Sequence, residues 1–194
     1  TRNTDVGRVG GKNASLGEMI SQLKKQGIRV PDGFAITAQA YWAYLEHNAL
    51  NEKIENALAK LKQDKSNLGA VGKAIRDLFK ATEFPVQIRQ ELFAAYRALG
   101  KGKRNVAVAV RSSATAEDLP DASFAGQQES FLNITGETSL IEACRRCYAS
   151  LFTDRAIAYR ENNGFKHMDV ALSVGVQTMV RSDKAGAGVM FSID

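Results

Sequence analysis

One cation in this chain, Arg111, follows an apolar, β-branched run that contains Val106, Val108 and Val110. A short apolar run bounded by turn residues predicts a buried strand, so the sequence places Arg111 at the end of a strand, pointing out of the sheet. The planar guanidinium suits phosphate oxygens better than a flexible ammonium does. Residues 112–128 are mostly small or hydroxyl-bearing, so their backbone N–H groups can approach an anion closely. The pattern therefore predicts a phosphate-binding arginine, although a strand-end arginine in a surface ion pair fits it equally well.

A second cation, Lys12, ends a predicted Gly-rich turn over residues 9–12. A helix is predicted directly after it, with Ser15 and Glu18 as a capping box and Gly27 as the stop. The apolar residues of this helix keep i, i+3, i+4, i+7 spacing: Leu16, Met19, Ile20 and Leu23. Helix N-termini favour anions, so Lys12 is a candidate phosphate ligand. The segment is not a Walker motif, and a surface lysine in a helix-entry turn is the alternative.

The middle of the chain predicts a helical core without obvious chemistry. Residues 38 to about 99 keep helical spacing, with breaks near Asn48, residues 66–69 and Pro85. Residues 138 to about 163 predict one or two further helices. The aromatic residues follow the apolar stripes, which favours a packed core over a cofactor-binding box.

Two more segments predict strands. Phe34–Thr37 follows a Pro-Asp-Gly turn, and Met168–Val180 is a longer apolar run. We expect Gly186–Ile193 to be the hairpin partner of the second strand, with the turn at residues 182–186. Gln177 is either an outward polar residue on a plain β core or a ligand contact.

Composition restricts the function classes. The chain has 194 residues, 44% hydrophobic and 24% charged, which is typical of a globular, soluble protein with a real core. No apolar run approaches the roughly 20 residues that span a bilayer. The net charge of +5 is modest, and the basic cluster Lys101–Arg104 lacks interleaved aromatic residues, so a solvated turn is favoured over a nucleic-acid site. Cys144 and Cys147 share an apolar helical stripe, which favours buried thiols over a redox or zinc pair.

Three motifs carry a resemblance to a known family. They read V-G-G-K-N-A-S-L-G-E-M near the start, V-R-S-S-A-T-A-E-D-L-P-D-A-S-F-A-G-Q in the middle and V-G-V-Q-T-M-V near the end. Together they resemble the nucleotide-binding domain of the phosphoenolpyruvate synthase family, which pyruvate phosphate dikinase, glucan water dikinase and rifampicin phosphotransferase share. The resemblance implies an α+β, ATP-grasp-like fold with a mixed or antiparallel sheet and a helical insertion. It implies that residues 1–194 are the N-terminal portion of the ATP-binding domain, with a helical section at about 38–100 and a β-rich lobe at about 104–194.

The same resemblance implies the site residues. Lys12 and Arg111 are expected to bind and stabilise the transferring phosphates of ATP, which makes them the catalytic candidates. The other nucleotide-binding candidates are a glycine over the phosphates, two polar contacts on strands and two adenine walls: Gly126, Ser130, Gln177, Met179 and Val180.

The activity that the family implies needs more than this chain. The parent is expected to convert ATP, pyruvate and water to AMP, phosphoenolpyruvate and phosphate through a phosphohistidine. The phosphohistidine and pyruvate-binding domains are expected outside this chain, the Mg²⁺ ligands beyond residue 194, and a homodimer through a C-terminal domain. We expect a cytoplasmic protein without nucleic-acid or membrane partners. The alternatives are another phosphotransferase on the same nucleotide domain, and a non-catalytic nucleotide- or nucleic-acid-binding module.

Overall fold

An antiparallel sheet organises the structure. The computed structural model describes residues 1–115 and 129–188, and the backbone of residues 118–119 and 122–123. The four-stranded sheet has the order β1-β6-β2-β5, and every pairing in it is antiparallel. A two-residue pair, β3 and β4, lies apart from it. The strands are β1 (Gly33–Ile36), β2 (Val108–Ala114), β3 (Asp118–Leu119), β4 (Ala122–Ser123), β5 (Ser130–Ile134) and β6 (Leu172–Thr178).

Helices surround this sheet and confirm most of the predicted segmentation. They are α1 (Val6–Leu23), α2 (Ala38–His47), α3 (Leu50–Gln63), α4 (Leu68–Lys80), α5 (Val86–Leu99), α6 (Glu137–Ser150) and α7 (Asp154–Asn162), with short 3₁₀ turns at Asn3–Asp5, Lys24–Gln26, Lys65–Asn67, His167–Asp169 and Ser182–Lys184. The breaks predicted near Asn48 and Pro85 are confirmed: Asn48 caps the end of α2, and Pro85 precedes α5. Gly27 ends the first helical segment with a left-handed φ of 78°, as predicted.

The two faces of the sheet differ in chemistry because side chains alternate along each strand. Val110 of β2 lies beside Val176 of β6, and these apolar positions belong to the core together with α2 and α6. The next position along pairs Arg111 with Gly175, on the opposite face. That face is small and polar, and α1 packs across it against β2 and β6. The sheet thus has one apolar face, which packs into the core, and one small, polar face, which α1 crosses.

The aromatic residues of the helical stretch 38–99 belong to the core or pack against it, as predicted. Tyr44 and Tyr148 are fully buried, and their ring centroids lie 5.2 Å apart in an edge-to-face arrangement. Phe79 stacks on both Tyr44 and Phe152. Cys144 is fully buried in the same core and burial raises its pKa, which confirms the prediction of a structural thiol.

The predicted start of α1 is wrong. The helix begins at Val6 and is interrupted at Gly10, which has φ 73° and ψ 162°, so Ser15 lies inside the helix and does not cap it. A Cβ at Gly10 would lie 2.2 Å from Ser113 Oγ and 2.5 Å from the Ser113 carbonyl oxygen. Glycine therefore allows the backbone to turn between the two helical segments of α1 and to approach β2 closely.

The predicted end of the strand at Arg111 is also wrong. β2 continues to Ala114 because its pairing with β6 continues to the Ala114–Leu172 partners, so Arg111 lies in the middle of the strand. β6 has β1 on one edge and β2 on the other. Residues 189–194, most of the expected hairpin partner Gly186–Ile193, lie outside the described residues, so the hairpin stays a prediction.

Candidate phosphate-binding site

A cavity of about 360 Å³ lies where α1 crosses the polar face of the sheet. α1, β1, β2, β6 and the first residue of the chain line it. The lining residues are Thr1, Lys12, Asn13, Leu16, Gly17, Ile20, Gly33, Phe34, Ala35, Arg111, Gly175, Val176 and Gln177. Residues from both ends of the chain thus meet at one place.

The two cations reach this cavity from different elements. Arg111 is exposed, on the polar face of β2 beside Gly175. Lys12 is exposed in the first turn of α1 after the break at Gly10, and not ahead of the helix as its sequence indicates. Both side chains belong to the cavity lining. An ammonium and a planar guanidinium at one cavity form an arrangement that suits the oxygens of a polyanion.

The electrostatics of the cavity favour an anion. None of the described residues in its lining carries a carboxylate, whereas Lys12 and Arg111 each carry a positive charge. Asp32 precedes the lining residue Gly33, but its carboxylate pairs with Lys101 and Lys24. Hydrogen bonds from these two ammonium groups lower the pKa of Asp32 to about 2, so this carboxylate stays ionised and paired at neutral pH.

Gln177 and Ser130 lie on strands next to Arg111, but only Gln177 lines the cavity. Gln177 lines the cavity, and its Nε2 donates a hydrogen bond to the Pro31 carbonyl at 3.2 Å. It therefore also holds the turn that leads into β1. Ser130 is the β5 partner of Arg111, so the two side chains share a face. Ser130 is exposed and is not among the residues that line the cavity.

The proposed adenine walls lie elsewhere. Met179 follows β6, where its backbone N–H donates to the Ala107 carbonyl at 2.9 Å, and Val180 is 62% exposed. Neither belongs to the lining of the cavity. The apolar residues of its lining include Leu16 and Ile20 of α1 and Ala35 of β1, whereas the side chains of Phe34 and Val176, which also border it, lie on the core face of the sheet. Gly126, the expected glycine over the phosphates, lies outside the described residues.

Asn13 is a site residue that the sequence reasoning missed. It is only 7% exposed, and its backbone N–H donates to Ser113 Oγ at 3.4 Å. Its Nδ2 donates to Ser173 Oγ at 3.0 Å. The signal was its position three residues before Leu16, which puts a polar side chain on the buried face of α1.

Comparison with known proteins assigns the chain to a family. Residues 6–194 match the family profile described as "Pyruvate phosphate dikinase, AMP/ATP-binding domain". The chain belongs to this family. Members of the wider group with curated names include the phosphoenolpyruvate synthases of Neisseria meningitidis serogroup B, 59% identical, and of Helicobacter pylori, 55% identical. The phosphoenolpyruvate synthase of Escherichia coli K12 is 51% identical.

These relatives are much longer than the chain. The matches cover 100%, 99% and 98% of this chain but 25%, 24% and 24% of the three relatives, respectively. The chain therefore spans about a quarter of the length of the curated relatives that it matches. The family assignment applies to an AMP/ATP-binding domain.

The sequence resemblance implies Mg²⁺ beside ATP, but the described residues do not fit a divalent cation. In the described part of the chain, no group of three or more His, Cys, Asp or Glu side chains could hold a metal ion. Mg²⁺ prefers oxygen ligands, and the cavity offers no carboxylate among its described lining residues. We therefore assign no step through Mg²⁺ to these residues.

Across the same described residues, no helix is long and apolar enough to cross a membrane.

Proposed function

We propose that the cavity binds the phosphates of ATP, with Lys12 and Arg111 as its cationic ligands. The observation that carries the proposal is that both cations, from elements about a hundred residues apart in sequence, line one cavity together with Gln177. The absence of a carboxylate from the described lining residues supports an anionic ligand. Membership of an AMP/ATP-binding family supports a nucleotide as that ligand.

In this proposal, the two side chains act electrostatically. Phosphoryl transfer requires positioning of the phosphates and stabilisation of the charge that develops on their oxygens. The Arg111 guanidinium can donate two parallel N–H groups to phosphate oxygens, while the Lys12 ammonium supplies a point charge. Both are catalytic residues in this sense. Gly126, Ser130, Gln177, Met179 and Val180 stay proposed nucleotide contacts.

We propose that the parent protein is a phosphoenolpyruvate synthase. It would convert ATP, pyruvate and water to AMP, phosphoenolpyruvate and phosphate through a phosphohistidine. Residues 1–194 would be the N-terminal portion of its ATP-binding domain, divided into a helical section at about 38–100 and a β-rich lobe at about 104–194. The names of the relatives support this assignment. Other parts of the parent would supply the Mg²⁺ ligands, the phosphohistidine, the pyruvate site and a homodimer contact, in a cytoplasmic enzyme.

The test of the phosphate site compares matched cation deletions in the full-length protein. Arg111→Ala should weaken ATP binding by about ten- to a hundredfold, because a hydrogen bond to a charged group contributes roughly 1.5–3 kcal/mol. The rate should fall by about 10² to 10³, as it does when a preorganised charge contact is lost. Lys12→Ala should also weaken ATP binding.

The controls remove an arginine and a lysine that lie on helices away from the cavity. Arg89→Ala on α5 breaks a surface ion pair with Glu83, and Lys53→Ala truncates an exposed lysine on α3. Both should leave the ATP affinity unchanged. If Arg111→Ala binds ATP as tightly as Arg89→Ala does, the proposed phosphate site is wrong.

Product analysis separates the alternatives for the parent. With ATP, Mg²⁺ and pyruvate and no added phosphate, a synthase yields AMP, phosphoenolpyruvate and phosphate in equal amounts. A dikinase turns over only after phosphate is added, and then yields pyrophosphate. Binding to polynucleotide that weakens steeply with salt, without ATP binding, would instead identify a nucleic-acid module.

A further inference from the structure

A buried polar cluster lies beneath the cavity, between α1 and the sheet. Asn13, Ser113 and Ser173 form it, and they are 7%, 1% and 0% exposed, respectively. Buried polar groups are costly unless they are hydrogen-bonded, so a cluster of this kind is informative about what it holds in place. Within the cluster, Asn13 directly follows Lys12 in the sequence, and Ser113 lies two residues after Arg111.

The hydrogen bonds of the cluster connect the helix to three strands. Asn13 Nδ2 donates to Ser173 Oγ of β6 at 3.0 Å, and Ser173 Oγ donates to the Ile36 carbonyl of β1 at 2.6 Å. The Asn13 backbone N–H donates to Ser113 Oγ of β2 at 3.4 Å. The first turn of α1 after Gly10 is thereby fixed relative to β1, β2 and β6.

The direction of these bonds makes residue 13 specific for asparagine. A serine hydroxyl has one hydrogen, and Ser173 gives it to the Ile36 carbonyl, so Ser173 Oγ can only accept from residue 13. Asparagine supplies that donor. Aspartate has the same shape but would place an acceptor oxygen against the Ser173 oxygen.

The Asn13 side chain also packs tightly against the backbone of β6. A Cβ on Gly175 would lie 2.2 Å from Asn13 Oδ1. Gly175 is the β6 partner of Arg111. The contact that holds Asn13 is therefore made at the strand position beside the second cation.

We propose that Asn13 is the positioning residue of the nucleotide site, which fixes Lys12 on α1 relative to Arg111 on β2 through Ser173 and Ser113. This inference rests on the proposed function, because it assigns a purpose to the spacing of the two cations. Asn13 acts through Lys12 and contributes to the phosphates of ATP, not to the base. Loss of its donor lets the first turn of α1 shift and weakens the phosphate contact.

The test measures the dissociation constants of ATP and adenosine for the full-length protein. Asn13→Leu removes the donor at similar shape without adding a charge to the cavity, and Ser173→Ala removes the acceptor of the same bond, so the second variant decides if the first does not fold. Both should weaken ATP binding by about tenfold, the size expected for a lost buried hydrogen bond, and adenosine binding by less than about twofold. The ratio of the two constants is the readout, because a general loss of stability does not change it.

Ser150→Ala is the matched control. Ser150 is 4% exposed and its Oγ donates to the Cys147 carbonyl at 2.6 Å within α6, outside the cavity lining. It should lower stability without changing the ATP-to-adenosine ratio. If Asn13→Leu and Ser173→Ala also leave that ratio unchanged while Lys12→Ala weakens ATP binding, Asn13 is merely structural and the inference is wrong. If Lys12→Ala itself has no effect on ATP binding, the proposed phosphate site fails and the inference falls with it.

Discussion

Replacing Gly175 by alanine tests whether the close contact between β6 and α1 is as tight as the structure indicates. Alanine in a strand normally stabilises a protein slightly relative to glycine, by about 0.4–1 kcal/mol, because the unfolded chain has fewer conformations to lose. At this position, however, the new Cβ would lie 2.2 Å from Asn13 Oδ1, 3.1 Å from its Cγ and 3.4 Å from its Nδ2. The whole Asn13 amide lies in the way, and turning it aside breaks its bond to Ser173.

The magnitude follows from these opposing terms. Overpacking of a closely fitted site costs about 1–3 kcal/mol. With the middle of each range, subtraction of the entropic gain leaves a loss of about 1.3 kcal/mol in the free energy of unfolding of Gly175→Ala. With a urea dependence of about 1–3 kcal/mol per molar, the unfolding midpoint should fall by roughly 0.4–1.3 M.

The assay uses the single tryptophan of the chain. Trp42 packs at 5.1 Å, edge to face, on the buried Tyr41, so its fluorescence reports on the core during urea unfolding. Gly69→Ala on α4 is the control, because its Cβ would meet only Asp154 Oδ2 at an ordinary 3.6 Å. It should leave the midpoint unchanged or raise it. A Gly175→Ala midpoint equal to or above that of the unmodified chain would refute the steric argument.

Two further outcomes are expected. Because burial raises the pKa of both Cys144 and Cys147, a thiol reagent at pH 8 should modify them only after unfolding, and rapid labelling of the native chain would contradict their burial. Hydrogen bonds from Lys101 and Lys24 lower the pKa of Asp32 to about 2 in the folded state, whereas it is about 3.9 in the unfolded chain. The ion pairs of Asp32 therefore stabilise the fold above about pH 4, and this stabilisation is lost as the pH falls towards 2. Asp32→Asn should therefore remove part of the acid dependence of the unfolding midpoint between pH 4 and 2, and identical acid profiles for both proteins would count against these pairs.

Local patterns in the sequence were sufficient for the helices and for the identity of the two cations. The breaks near Asn48 and Pro85 were predicted because a capping residue and a proline act on their own few neighbours. Arg111 and Lys12 stood out by residue type, since a guanidinium and an ammonium beside small residues suit phosphate whatever the fold. The alternation of Val106, Val108 and Val110 predicted β2, although not its end.

The tertiary structure alone decided how these pieces form a site. Asn13 bonds to Ser113 and Ser173 across 100 and 160 residues of sequence, and no local pattern specifies such a pairing. The end of β2 was missed for the same reason, because the strand continues past Arg111 only where β6 lies beside it. A strand ends where its partner ends, and a polar residue is buried where another element supplies its hydrogen bonds. The sequence therefore identified the two cations that we propose as phosphate ligands, and the packing of α1 on β2 and β6 decided that they line one cavity.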